Sequence, residues 1–457
     1  MTILFEPYRS RMVEPIPITT RSQRERFIAE AGYNPFLLRS EQVLIDLVTD
    51  SGTSALSTRQ WSSMLGADES FTGSRSFYRF REAVQNLFGH QFVIPCHQGR
   101  AAEHLLARAV LRPGDVVFAN TLFATTRENI TEAGAEGRDL PLTESADPAN
   151  LHPFKGNVDL AALEAGIREV GAERVRLVVV TVTENSRGGQ PVSLANLRAV
   201  AEVCQRHGIP LFLDAARFAE NAALIRQREK ECAHMSPREI AREMFACTDG
   251  VFLSMKKDGL GNSGGLISLN DPAWAEAVRV RLLVTEGIPS AGGLAARDLE
   301  AMAVALEEML EEDYLTYRLA STARLGEALA AAGIPAVQPF GAHAVYIDGR
   351  AFCPHLPDEN LPAWSLSVAL YLHAGIRGWE TGNVMQGRPD PAGGPWRWPA
   401  LDLFRLAIPR RVYSLSHLDF AAEAIIELYQ QRKTIRGLRF VYRPPALAQF
   451  VATFEPA

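Results

Sequence analysis

Cysteine is scarce in this chain. Among 457 residues there are five, Cys96, Cys204, Cys232, Cys247 and Cys353, an odd number, widely spaced and without a Cys-x-x-Cys pair. That argues against a disulfide framework or a thiolate zinc site and makes small buried hydrophobes their expected role, with a cytoplasmic location as the default. Long apolar runs are missing as well. A run such as "LVVVTV" from Leu177 is far shorter than the ~20 residues a membrane-spanning helix needs. The first residues, "MTILFEPYRSRM", contain no apolar core of signal-peptide length. Neither sign of charge dominates: 47 Lys and Arg against 53 Asp and Glu give a net charge of -6. Nothing there attracts nucleic acid or an anionic membrane, so no partner of either kind is expected. No internal repeat is present.

What is there is ordinary globular composition, 47% hydrophobic and 22% charged, in a chain long enough for two or three domains. The middle alternates strand and helix. "RVRLVVVTV" (Arg174–Val182) is a β-branched run suited to a strand buried on both faces. "LANLRAVAEVCQRHG" (Leu194–Gly208) puts Leu194, Leu197, Val200, Ala201 and Cys204 on one helical face and stops at Gly. "IPLFL" precedes Asp214, "QFVIP" precedes "CHQGR" and the helical "AAEHLLARAVL", and "GVFLS" and "GGLISL" form two more strands. The alternation predicts an α/β fold with a mostly parallel sheet wrapped by helices. Beyond residue 310 the pattern changes to a helix, "DYLTYRLASTARLGEALAAAG", and short strands, "AVYID" and "LFRLAIP". The expected organisation is a large domain over 50–310 and a smaller α+β domain from 1–49 and 311–457. The Pro- and Gly-rich "MQGRPDPAGGPWRWPA" (Met385–Ala400) reads as a loop.

In such sheets the ligand lies beyond the carboxyl ends of the strands. Gln98, Gly99, Arg100, Asn185, Asp214 and Lys257 all follow expected strands. Two adjacent lysines, Lys256 and Lys257, sit between "GVFLS" and a glycine-rich stretch. Neighbouring ammonium groups on a loop are commonly just solvated. The alternative is that one forms an imine with an aldehyde cofactor while the other holds that cofactor's phosphate. Pyridoxal 5'-phosphate needs four things of a protein. It needs a lysine, for which Lys257 or Lys256 can serve. It needs an acid against the ring nitrogen, and Asp214 is placed for it, although an Asp after a strand is also a common helix cap. It needs donors near the ring hydroxyl, for which Asn185 and Arg217 are candidates. It needs a phosphate cup at a helix start, which "HQGR" with Ser254 and Lys256 can form.

The chain also resembles the β-eliminating lyases, the family of tyrosine phenol-lyase and tryptophanase, from "AGYNPFLL" (Ala31–Leu38) through "DLVTDSGTSALS", "CHQGRAAEHLL", "FATTR", "GGQPVS", "DAARFAENA", "SMKKD", "GGLAARDLEAMA" and "RLAIPRRVYSLSHLD" to "GLRFVYRP". The resemblance implies the aspartate-aminotransferase-like fold (pyridoxal phosphate fold type I), usually a tetramer of two dimers, and an amino-acid substrate. It implies Lys257 as the imine lysine, Asp214 at the ring nitrogen, and Phe123 stacked on the ring. Asn185 and Arg217 would lie near the ring hydroxyl, and Gln98, Gly99, Arg100, Ser254 and Lys256 would cradle the phosphate. Arg405 matches the arginine that grips the substrate carboxylate, helped by Thr49 and Ser51. By its strand pattern alone, Arg405 reads as an outward-facing surface charge. Gly52, Glu69 and Asn262 match a potassium-type monovalent-cation site at a subunit contact.

The departures from the family fall at the leaving group. Its "DE-x-Y-x-G" tyrosine protonates the departing ring, whereas "DESFTG" puts Phe71 there. The threonine or aspartate after Phe123 is Ala124, and the phenol-reading arginine of "MERG" is Thr381 in "WETG". Gln449 precedes Phe450 in "AQF", and "GIPSAGG" brings Ile288 and Ala291. Phe and Ala donate no protons. The expected activity is therefore an amino-acid lyase expelling a non-aromatic β- or γ-substituent that leaves as a stable anion, a halide or a thiolate. The alternatives are a carbon–carbon lyase with another acid, such as His373 or a water on Gln449, and a β/γ-replacement synthase.

Overall fold

β-Branched and aromatic residues fit a pleated surface, and runs of them buried on both faces build a parallel sheet. In the computed structural model, which describes residues 4–390, 394, 396–445 and 447–457, the strand-like runs do this. Among the described residues they form a seven-stranded sheet, in the spatial order Phe92–Cys96, Gly265–Leu269, Gly250–Ser254, Leu211–Asp214, Val175–Thr181, Val116–Ala119 and Glu136–Asp139. Six strands point the same way. Gly265–Leu269 alone runs antiparallel, against Phe92–Cys96 on one side and Gly250–Ser254 on the other. The helices stop where local chemistry stops them. Leu194–His207 is capped by the Ser193 hydroxyl at one end and by Gly208 in the left-handed region at the other. Gly99–Val110 turns Ala102, Leu105, Leu106 and Val110 into a core shared with Val117, Val179, Phe212 and Ile267. The five cysteines are free, four of them buried.

The chain divides into two units. The larger comprises Ser51–Ser145 and His152–Thr316 and contains the seven-stranded sheet. The smaller comprises 1–50, Ala146–Leu151 and Tyr317–Ala457. Ala146–Leu151 had been assigned by sequence to the large domain. It belongs instead with the smaller unit, where the Pro148 carbonyl accepts from the Gln338 N–H at 2.8 Å. The smaller unit is built on an antiparallel sheet in the order Trp379–Thr381, Leu403–Ala407, Ala344–Asp348. Its core packs Val345, Ile347, Phe404 and Leu406 against Leu366 and Leu370 of helix Pro362–Ala374 and Leu418 and Ile425 of helix Leu415–Gln430. The segment read as one loop, Met385–Ala400, starts differently: Met385 and Gln386 end a short helix, Asn383–Gln386. Farther on, Arg388 and Arg397 bridge across it, and residues 391–393 and 395 lie outside the described residues. No helix among the described residues is long and apolar enough to cross a membrane.

Candidate active site

The carboxyl ends of five of the six parallel strands, four of them adjacent and Phe92–Cys96 set apart by the antiparallel Gly265–Leu269, carry the candidate residues of the larger unit. Cys96 is followed by Gln98 to Arg100, Ser254 by Lys256 and Lys257, Thr181 by Asn185, Ala119 by Phe123, and Asp214 is itself the last residue of its strand. Asp214 pairs in register with Thr181 on one side and Phe252 on the other, so it sits on an interior strand at that strand's carboxyl end.

Helix Gly99–Val110 begins with an extended Gln98 and no side-chain cap, a helix start whose positive end suits an anion. Gly99 is required there, because a Cβ would stand 2.6 Å from the Ser254 Cβ. Burial, and then the Arg100 charge, lower the pKa of Lys256. Lys256 also lies against Gly52, whose φ of +77 and position 2.8 Å from the Lys256 Cε, measured to an added Cβ, admit no side chain. These features fit a phosphate: an uncapped helix start, two cations and the Ser254 hydroxyl, at a place where backbone comes too close for a side chain.

Asp214 is buried, and its Oδ1 accepts from the Ala216 N–H at 3.4 Å. Burial raises its pKa, and the Lys257 charge, the Ala216 N–H and Arg217 hold it back. A buried carboxylate next to a lysine suits a ring nitrogen that must stay protonated. Arg217 is buried where helix Phe218–Arg228 begins, its N–H donating to the Val182 carbonyl at 3.0 Å. Asn185 is buried in a turn held by Glu184, whose carboxylate accepts from the Ser186 and Arg187 N–H groups at 2.6 and 2.7 Å. Phe123 occupies the N-cap position of helix Ala124–Glu132 and Ala124 its first turn.

Two residues were missed by reading the sequence. Asp258 follows the lysine pair, and its Oδ2 accepts from the Ala219 and Glu220 N–H groups at 2.8 and 3.2 Å, tying the lysine loop to the helix behind Arg217. Glu103 lies one turn after Gly99 on the same helix face, and that spacing was the signal available.

The cation residues are brought together only in part. Gly52 and Asn262 are neighbours: the Asn262 amide donates to the Gly52 carbonyl at 3.1 Å, and the Asn262 backbone oxygen lies 3.3 Å from an added Gly52 Cβ. Glu69 instead caps helix Ala296–Glu308, accepting from the Ala296 and Arg297 N–H groups at 2.9 and 3.3 Å. Among the described residues no group of three or more His, Cys, Asp or Glu could hold a metal ion. Phe71 stands in the same loop as Glu69, 83% exposed.

In the smaller unit, Arg405 is buried, not the surface charge its strand pattern suggested. It lies on the central strand opposite Trp379 and Tyr346, with its Nη2 donating to the Val48 carbonyl at 3.0 Å. Next to Thr49, Asp50 forms a fully buried pair with Arg410 at 3.0 Å. Phe450 packs with Phe36 and Trp379, the three ring centroids being 4.9 to 5.4 Å apart. Thr381 and Gln449 are buried, and neither the Thr381 Oγ1 nor the Gln449 Oε1 has a hydrogen-bond partner among the described residues. His373, a candidate acid, faces Glu427 at 3.1 Å in a partly exposed pair.

The sequence profile described as beta-eliminating lyase matches residues 46–424. The chain belongs to the β-eliminating lyase family. It is 49% identical to a tyrosine phenol-lyase of Symbiobacterium thermophilum over 99% of this chain and 98% of the relative. It is 50% identical to a tryptophanase of Rhodobacter capsulatus over the whole of both. Among solved structures it is similar to Sphingomonas wittichii serine palmitoyltransferase, with a TM-score of 0.59, 16% identity and coverage of 90% of this chain and 95% of the other. That likeness carries the fold, pyridoxal phosphate fold type I. The family is pyridoxal 5'-phosphate-dependent, and this β-eliminating lyase is an enzyme acting on small amino-acid substrates.

Proposed function

We propose that this lyase eliminates a non-aromatic β- or γ-substituent, of the halide or thiol type, from an α-amino acid. The observation that supports the reading is the side chain at position 71. A phenylalanine there has no proton to give, and Ala124 offers none either.

Bound pyridoxal 5'-phosphate supplies an aldehyde for amine attachment and a protonated ring that withdraws electrons from the substrate α-carbon. The N-terminus of helix Gly99–Val110, with Ser254, Arg100 and Lys256, would hold the phosphate. Asp214 would keep its negative charge against the ring nitrogen, with Asn185 and Arg217 at the ring hydroxyl and Phe123 on the ring face. Lys257 would be the attachment point and, once released as a neutral amine, the base that takes the α-proton. Arg405 would bind the substrate carboxylate, helped by Thr49 and Ser51. A halide or thiolate departs with the bonding electron pair and asks no residue for a proton. Phenol and indole depart from rings that must first be protonated.

The same reading takes potassium as a second ligand, held by Gly52, Asn262 and a Glu69 carboxylate. No step of the chemistry runs through it. Glu69 and Phe71 share one loop, and this supports a homo-oligomer in which that loop is covered by a second copy. The free cysteines agree with a cytoplasmic enzyme.

A second reading, a carbon–carbon lyase with a different acid, draws on relatives named for tyrosine and tryptophan at about half identity. The unpartnered polar atoms of Thr381 and Gln449 could orient a water for it. A screen of amino acids with halide, thiol, ammonia, phenol and indole assayed in parallel separates the two. Halide or thiol release with little phenol or indole supports elimination of a non-aromatic group, and the reverse supports the second reading.

A further inference from the structure

Glu286 is a carboxylate that neither the phosphate cup nor the ring contacts require, and it touches the peptide that leads into the cup. It ends helix Pro272–Thr285, whose Ala275, Val278 and Leu282 share one core with Ile94 and Cys96 of strand Phe92–Cys96 and with Ala101 and Leu105 of the cup helix. Its side chain is 10% exposed. One oxygen, Oε2, accepts from the His97 backbone N–H at 3.2 Å and also meets the His97 ring at Nδ1. The His97 carbonyl accepts from the Gly264 N–H at 2.8 Å, and Gln98 bridges to Gly264. The backbone of His97 is thus bonded at both its N–H and its carbonyl. The loop after Glu286 closes on the same strand end. Gly292, at a φ of +61, lies where an added Cβ would stand 2.1 Å from the Pro95 carbonyl oxygen.

We propose that Glu286 and His97 are positioning residues for the cofactor's phosphate. One carboxylate oxygen takes both N–H groups of His97, ring and backbone, and fixes the peptide from which Gln98 and Gly99 enter the helix. The proposal rests on the reading that this helix start holds the phosphate. A helix start binds an anion through the direction of its N–H groups, and the peptides just before it set that direction. Glu286 is itself an anion, so its charge opposes a phosphate. What it contributes is position, through hydrogen bonds that only an acceptor at this place can make.

Affinities of the cofactor-free protein for pyridoxal 5'-phosphate and for pyridoxal, which has the same ring and aldehyde without the phosphate, read the cup apart from the rest of the site. The ratio of the two is the measure, and pyridoxal binding checks that each variant is folded. Glu286→Ala should cut the ratio by about tenfold or more, the worth of a hydrogen bond to a charged group. Glu286→Gln keeps an acceptor oxygen and drops the charge, so its ratio should stand at or above the wild-type value. His97→Ala loses only the ring's bond and should fall less than Glu286→Ala. His97→Asn, whose amide can donate in place of Nδ1, should recover that loss. An unchanged ratio in Glu286→Ala, or an equal loss in Glu286→Ala and Glu286→Gln, overturns the proposal. If Glu286→Ala does not fold, the His97 variants decide, and a wild-type ratio in His97→Ala overturns it. Failure of the cup reading looks different: Arg100→Ala would then leave the ratio unchanged, and both readings fall. A ratio lowered by Arg100→Ala and not by Glu286→Ala overturns the proposal alone.

Discussion

Lys256 and Lys257 are adjacent in sequence and differ in what surrounds them. The Lys257 charge favours the carboxylate forms of Asp214 and Glu103, whereas Lys256 lies on Gly52 and feels Arg100. Lys257→Ala should therefore abolish the cofactor attachment that borohydride traps, and Lys256→Ala should keep it with weaker retention of cofactor. Peptide mapping of the reduced protein checks this, and a pyridoxyl group on Lys256 would reverse the two roles. The placement of Lys257, Asp214 and Gly99 at strand ends was legible because each follows a recognisable strand. Glu103 and Asp258 were not, because their roles depend on contacts with residues about 20 to 40 positions away that no local pattern reports. Arg405 shows the same limit from the other side. Alternation along its strand places it outside, and only the neighbouring strands and the Val48 carbonyl show it to be buried.

The strand Trp379–Thr381 carries one of the altered positions, Thr381, and is held by a carboxyl pair. Glu380 and Asp402 are both buried; Asp402 accepts from the Asn383 and Ala363 N–H groups at 2.9 Å each. Glu380 accepts from the Val384 N–H at 2.9 Å, and burial followed by the Asp402 charge drives its pKa well above the usual range. Asp402 is also raised, mainly by burial. A carboxyl raised in the folded state stabilises fully below its unfolded pKa, and that contribution is lost as pH climbs through the folded pKa. The chain should thus lose stability from acidic to alkaline buffer, and Glu380→Gln should flatten the decline. Denaturant midpoints across that range check it, and an equal slope in both proteins would show that the pair is not the cause. At this scale most elements could be read from the sequence, since β-branched runs and 3.6-residue periodicity are local. The short helix Asn383–Gln386 escaped because its N–H groups are satisfied by Glu380 and Asp402, the second of which is distant in sequence.

For the whole molecule the open terms are the cation and the substrate. Gly52 and Asn262 stand together, and Glu69 caps helix Ala296–Glu308. Potassium or ammonium should activate, sodium poorly, since hard oxygen sites discriminate by size and ligand number. Glu69→Gln should erase the difference, and equal rates in sodium and potassium buffers would remove the site. The proposed substrate turns on Phe71, Ala124, Thr381 and Gln449, the positions at which the family resemblance implies an altered leaving-group site. General acid catalysis typically contributes ~10²–10⁴-fold. β-Chloroalanine discriminates little, because a good leaving group needs no acid from any enzyme of this type. The decisive measurement is kcat/KM, in one assay, for tyrosine and tryptophan against longer aliphatic amino acids bearing chloride or a thiol group at the β- or γ-carbon. The aliphatic substrates should turn over, with tyrosine and tryptophan slower by about 10²-fold or more; efficient release of phenol or indole by the wild-type enzyme would contradict the account.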